Sequence, residues 1–286
     1  MQRVFLALSL MLAMTSFSWA QLTVDLVLDQ EQFLRDESLQ VKVQISNRSG
    51  QKVELGKDAG WLEFSIENLD GGLISRLGEV RVDGVLNLES AMVATRVLDL
   101  LPFYDLSKPG RYSISASVRV KNWDQEFASK RKTFDVVRGS KIWEQEFGVP
   151  SKGVPEVRKY VLQQAIYLKR LMLYVRITDG SDDKVIRVFP VGPLVSFSRP
   201  EAQIDKQSNL HVLFQSGARS FLYHIISPDG QEVLQETYEY SPSRPTLRGS
   251  DDGKIFVSGG SRRVPVDVVP VTQVEAATNV VSSSKK

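Results

Sequence analysis

Cysteine is absent from the chain. Disulfides, thiolate metal sites, cysteine nucleophiles and an amino-terminal lipid-bearing cysteine are therefore excluded. Any exported form must rely on its apolar core for stability. Histidine occurs twice, at His211 and His224. A zinc site normally takes three or four His, Cys or carboxylate ligands, so two histidines on separate stretches make a poor start to one. A serine triad would need one of the same two as its base, and no Gly-x-Ser-x-Gly elbow occurs. Phosphate-binding and dinucleotide-binding glycine motifs are missing as well. The net charge is only +2 over 286 residues, too small to point to nucleic acid.

A long apolar run is found in one place, at the amino terminus. "MQRVFLALSLMLAMTSFSWA" carries Arg3, an apolar stretch from Val4 to Ala13, and small residues at Ser18 and Ala20. That is the layout of a secretory signal peptide over residues 1–20, cleaved after Ala20. The run is shorter than the roughly 20 residues a spanning helix needs. No later stretch has the length for a transmembrane segment, so the mature chain is expected to be exported, periplasmic or extracellular.

From Leu22 onward the pattern has period two. Leu22, Val24, Leu26 and Leu28 share one parity, as do Leu39, Val41, Val43 and Ile45. In "RYSISASVRV", Tyr112, Ile114, Ala116, Val118 and Val120 alternate with Arg111, Ser113, Ser115, Ser117 and Arg119. Such alternation marks half-buried strands of antiparallel sheets. Turn signals separate them at "NRSG" (47–50), "LDGG" (69–72) and "KPG" (108–110). The spacing predicts an immunoglobulin-like β-sandwich over residues 21–138.

"FYDLSKPGRYSISASV" (103–118) and "LQVKVQISNRSGQKVEL" (39–55) resemble the closing and early strands of immunoglobulin-like domains in secreted bacterial proteins, secreted proteases and inhibitor-like proteins. The resemblance implies architecture. It does not imply protease activity, because the His-Glu-x-x-His motif of the zinc proteases does not occur here.

Gly-Val-Pro is written twice, at Gly148–Pro150 and Gly153–Pro155. Proline removes a ladder donor and restricts the residue before it, so residues 139–155 read as a linker. Trp143 and Phe147 within it read as aromatics sealing the end of the sandwich. "EVRKYVLQQAIYLKRLMLYVRI" (156–177) reads as two strands meeting around Lys169–Arg170, with a helix for its first half as the alternative.

Residues 156–264 then show an internal repeat. "SRPEAQIDKQSNLHVLF" and "SRPTLRGSDDGKIFV" place Pro200 and Pro245 45 positions apart. The same offset sets Leu210 on Ile255, His211 on Phe256 and Val212 on Val257. A period of this length built from strand hairpins resembles the blades of β-propellers. Closure needs at least four blades. The length here suits two and part of a third, so an open antiparallel domain of about two blade-like sheets is expected. Leu210, Val212, Ile255 and Val257 should be equivalent buried positions. Residues 265–286 read as a mostly disordered tail.

The remaining polar clusters have local explanations. Asp182-Asp183 and Asp251-Asp252 lie in glycine-containing turns, where aspartate bonds its own backbone. His211 occupies a position that takes an aromatic in the repeat, and His224 lies between Leu222 and Ile226. Both read as packed rings. Arg244, Arg248, Lys254, Arg262 and Arg263 read as a solvated face. No catalytic, cofactor-binding or metal-ligating residue, and no cofactor, is designated. The expected protein is a non-catalytic exported binding or scaffolding protein. Its partner would be another exported protein or a cell-surface polymer, not nucleic acid, and a homodimer is compatible with the open repeat. The alternatives are an extracellular carboxylate-dependent hydrolase and, more weakly, a protease-inhibitor-like protein.

Overall fold

The computed structural model describes residues 22–71, 74–149 and 156–263. The expected signal peptide and tail lie outside these residues. The fold is all-β and mostly antiparallel.

Ten strands make the first unit: Leu22–Leu28 (β1), Gln32–Leu34 (β2), Gln40–Asn47 (β3), Val53–Leu55 (β4), Leu62–Asn68 (β5), Leu86–Leu88 (β6), Val93–Asp99 (β7), Gly110–Val120 (β8), Gln125–Ala128 (β9) and Lys132–Val137 (β10). One sheet runs β1-β3-β7. The other runs β2-β10-β8-β5, with β9 also on β8. The chain leaves β1 in one sheet and enters the other as β2, which pairs in parallel with β10. This is the immunoglobulin-like sandwich that the period-two pattern predicts. Val41, Val43 and Ile45 meet Ile114, Ala116 and Val118 in one core. Each of these valine and isoleucine side chains, fully removed from water, contributes about 1.5–3 kcal/mol. Tyr112 donates its hydroxyl to the carbonyl of Lys108 at 2.5 Å and stacks on Phe134, forming a tyrosine corner at the start of β8.

Two meander sheets come after the sandwich. The first comprises Ser140–Val149 (β11), Glu156–Tyr167 (β12), Arg170–Asp179 (β13) and Val185–Pro193 (β14), in that order. The second comprises Glu201–Ile204 (β15), Leu210–Gln215 (β16), Ser220–Ile226 (β17) and Glu232–Glu239 (β18). A hairpin of Thr246–Gly249 (β19) and Ile255–Ser258 (β20) comes next, and Ser261–Arg263 (β21) returns to β18.

Most of the segment expected as a linker, 140–149, is β11, the edge strand of the first meander sheet. The linker reading rests on the prolines, but these lie beyond the end of that strand; residues 150–155 lie outside the described residues. Phe147 is buried and stacks on Tyr160 with centroids 4.2 Å apart, and Trp143 packs on the same cluster. These rings close the core between the meander sheets, not the sandwich. The helix alternative for 156–170 gives way to β12 and β13, which pair across a two-residue turn. Leu168 and Lys169 hold φ of 45° and 64° there, as a type I′ hairpin turn requires.

The 45-residue repeat is real at the level of register. Glu201, Ala202, Gln203 and Ile204 pair with Leu213, Val212, His211 and Leu210. Thr246, Leu247, Arg248 and Gly249 pair with Ser258, Val257, Phe256 and Ile255. Every pair is the earlier one advanced by the same offset. The three sheets stack in chain order. Leu210, Val212 and Phe214 face the first meander sheet, while Leu213, Phe221 and Tyr223 pack with Leu247, Ile255 and Val257 of the hairpin. All six residues of β16 are therefore buried. The equivalence is not complete in burial. Leu210 and Val212 are fully buried, whereas Ile255 and Val257 are half-buried, because their hairpin has only two strands.

The far face of the first meander sheet is covered by the sandwich. Leu34 and Val137 pack on Ala165, Tyr174 and Val188. Arg176 donates to Asp36 at 2.6 Å, and the Gln32 side chain donates to the carbonyl of Ile166.

Candidate functional site

His211 lies on the face of β16 that the terminal hairpin covers. Its Nε2 is 3.1 Å from Asp205 Oδ2 and its Nδ1 is 2.6 Å from the Tyr223 hydroxyl. The carboxylate can only accept, so Nε2 carries the proton and Nδ1 accepts from the phenol. Burial works to raise the Asp205 pKa. Hydrogen bonds from the Asn209 side chain, His211 and the Asn209 backbone outweigh it and hold the carboxyl below its usual range. Burial pushes the Tyr223 hydroxyl upward.

Carboxylate, imidazole and hydroxyl thus stand in the order of a hydrolytic triad. The hydroxyl, however, belongs to a phenol that is buried in the cluster with Leu247, Ile255 and Val257. No substrate atom can approach it there. The chain of bonds ties the β15–β16 turn to β17, a structural task.

His224 lies on the opposite face, toward the first meander sheet. It is 1% exposed and stacks on Phe214. Its Nδ1 is 2.6 Å from Glu232 Oε1, and its buried Nε2 has no partner. Burial lowers its pKa, and Glu232 opposes that shift. Among the described residues, no group of three or more His, Asp or Glu side chains is placed to hold a metal ion.

The paired aspartates build their own turns. Asp182 accepts from Lys159 and Thr178, which lowers its pKa. Asp252 accepts from Ser250 and from the Lys254 amide. The basic residues near the carboxyl end do not form one patch. Arg262 pairs with Glu236, Arg263 with Glu239 and Lys254 with Asp252. Arg244 bonds Ser198 and lies over the Phe221 ring.

A cleft of about 500 Å³ opens between the sandwich and β14, with Asp36, Asp99 and Asp105 on its wall. Asp36 is engaged by Arg176, Asp99 accepts from the Leu101 amide, and Asp105 accepts from the Ser107 amide.

Sequence reasoning passes over Val93–Asp99. This strand is the outer edge of its sheet, with β3 on one side only. The Asn47 amide donates to the Met92 carbonyl, and the Leu100 amide to the Leu39 carbonyl, each at 3.0 Å. Between these two points the even-numbered residues bond β3. The backbone N–H and C=O groups of Val93, Thr95 and Val97 therefore point away from the sheet. The alternation of Val93, Thr95 and Val97 marks a strand, but only topology makes it an edge.

No protein-family model and no curated protein matches this chain. Among solved structures it is similar to Spo0M, the sporulation control protein of Bacillus subtilis, at 7% identity and a TM-score of 0.31. The match covers 60% of this chain and 91% of that one. So distant a likeness carries no inference about what this chain does.

Proposed function

We propose that the chain is an exported, non-catalytic binding or scaffolding protein. In this reading residues 1–20 direct export and are removed. The immunoglobulin-like sandwich and the blade-like sheets then present a rigid surface to another exported protein or a cell-surface polymer. Among the described residues no helix is long and apolar enough to cross a membrane.

The observation that carries the reading is the engagement of both histidines and of the aspartates in the cleft between the sandwich and β14. His211, His224 and Asp205 are locked within the sheet stack, and the cleft aspartates Asp36, Asp99 and Asp105 are held by neighbouring donors. The contact between the units also supports it. Apolar packing of Leu34 and Val137, with the Arg176–Asp36 ion pair at its rim, holds the sandwich against the stack as a scaffold requires. The test is capture from the exported fraction with immobilised residues 21–286, followed by titration of the captured species. Saturable, stoichiometric binding is expected. Turnover of a polysaccharide or peptide substrate by the same preparation would favour the hydrolase alternative.

A further inference from the structure

The sandwich and the meander sheets have several free strand edges, and most are blunted. On β5 the outward row is Glu63, Ser65 and Glu67. The edge strand β11 carries a bulge and exposed Lys141, Glu144 and Glu146. β14 is interrupted by two irregularities, and β2 and β15 are three and four residues long. Charges, bulges and shortness are the usual means of keeping an edge from pairing.

Over its first five residues β7 has no bulge and no outward-facing charge, and its one charge there is the inward Arg96. Its seven pairs with β3 run without a bulge. Its outward row is Val93, Thr95 and Val97, with Val93 60% and Val97 53% exposed. The outward-aimed amides and carbonyls of these three residues have no ladder partner among the described residues. The inward row holds one charge, Arg96, whose Nε is buried and has no hydrogen-bond acceptor. A buried cationic donor without an acceptor is costly, and a carboxylate beside it would remove the cost.

We propose that β7 is a docking edge. It takes an extended segment of a partner protein as an added strand, antiparallel to β7, with an Asp or Glu opposite Arg96 and β-branched residues opposite Thr95 and Val97. Strand addition of this kind draws affinity from main-chain bonds and specificity from alternate side chains. Arg96 directs its own main-chain groups to β3, so on the free side it occupies a non-hydrogen-bonded position. Facing side chains lie closest there, about 4.5–5.5 Å between Cβ atoms.

A second copy of this chain fits the edge less well. In a two-fold antiparallel pairing that keeps inward faces on one side, Arg96 would meet an even-numbered residue of β7. Those are Ala94, Arg96 and Leu98, and none is acidic. This inference rests on the binding reading and names the surface that performs it.

The test uses purified residues 21–286 and a fluorescent capped nonapeptide, Thr-Val-Thr-Val-Glu-Val-Thr-Val-Thr, followed by anisotropy. A second peptide has Lys in place of Glu. The Glu peptide should bind saturably, and the Lys peptide about tenfold more weakly, since facing like charges repel. Arg96→Gln should erase that preference. Thr95→Pro removes an amide aimed at the incoming strand and none aimed at β3. It should abolish binding while leaving the far-ultraviolet circular dichroism unchanged, and Thr95→Val should bind as the parent does.

Equal binding of the two peptides, or no binding of either, overturns the proposal. So does parental binding by a folded Thr95→Pro. If Thr95→Pro does not fold, the peptide charge swap and Arg96→Gln decide alone. A self-association that Thr95→Pro abolishes would overturn the choice of a foreign strand. If folded Thr95→Pro still captures the exported partner at parental affinity, the edge assignment fails and the binding reading stands.

Discussion

Leu210 and Ile255 occupy one position of the repeat, yet the structure predicts unequal consequences when each is cut back to alanine. Leu210 is fully buried between the two meander sheets, in the cluster that holds Tyr160, Ile177 and Ile226. Both flanking sheets are four strands wide or more, so collapse around a void is restricted. Losing three carbons forfeits about 2.4 kcal/mol at roughly 0.8 per methylene, and an unrelaxed cavity adds about 1–2 kcal/mol. The total for Leu210→Ala is about 4 kcal/mol. Ile255 is half-buried in a two-stranded hairpin that can settle inward, so Ile255→Ala should cost about 1–1.5 kcal/mol. In urea, with a slope of about 2–3 kcal/mol per molar, the midpoints should fall by about 1.5–2 M and about 0.5 M. Tryptophan fluorescence and far-ultraviolet circular dichroism should report the same ordering. Equal midpoint shifts, or a larger one for Ile255→Ala, would refute the stacking order.

Three further outcomes rest on the same packing. Tyr112→Phe deletes the bond to the Lys108 carbonyl and keeps the ring on Phe134, so it should cost about 1 kcal/mol, read as a shift in the urea midpoint. His224 is depressed from its ordinary 6.5 by burial, so the unfolded chain takes up that proton first. Its contribution is present above about pH 6.5 and is lost as pH falls toward the folded-state value. His224→Phe should flatten this part of the stability profile, and a slope unchanged by the substitution would contradict the assignment. Asp36→Asn weakens the ion pair with Arg176 at the edge of the sandwich contact and should cost about 1–3 kcal/mol, with faster proteolysis between the units as the readout.

Much of this fold is legible in the sequence because the sandwich obeys period two. The strands around Val41–Ile45 and Tyr112–Val120 bury one parity and expose the other, so counting alone finds them. The repeat is visible for a different reason. Ser-Arg-Pro precedes β15 and β19, where proline needs no ladder partner, and the register carries the offset onward. β11 is hidden because its bulge breaks the alternation and prolines come closely after it. β16 buries both parities, so no pattern announces which of its residues face which sheet. His211 and His224 can be read as packed rings, but Tyr223, Asp205 and Glu232 as their partners cannot. Those contacts join residues on neighbouring strands and turns, and depend on register. The edge at Val93–Asp99 needs the full sheet order.

In the proposed reading the chain binds its partner and leaves it chemically intact. Intact mass spectrometry of the captured partner, before and after prolonged incubation with residues 21–286, tests this most directly. A stoichiometric complex is expected, from which the partner is recovered at unchanged mass. A partner recovered cleaved or otherwise chemically altered, at a rate that scales with this chain's concentration, would contradict it.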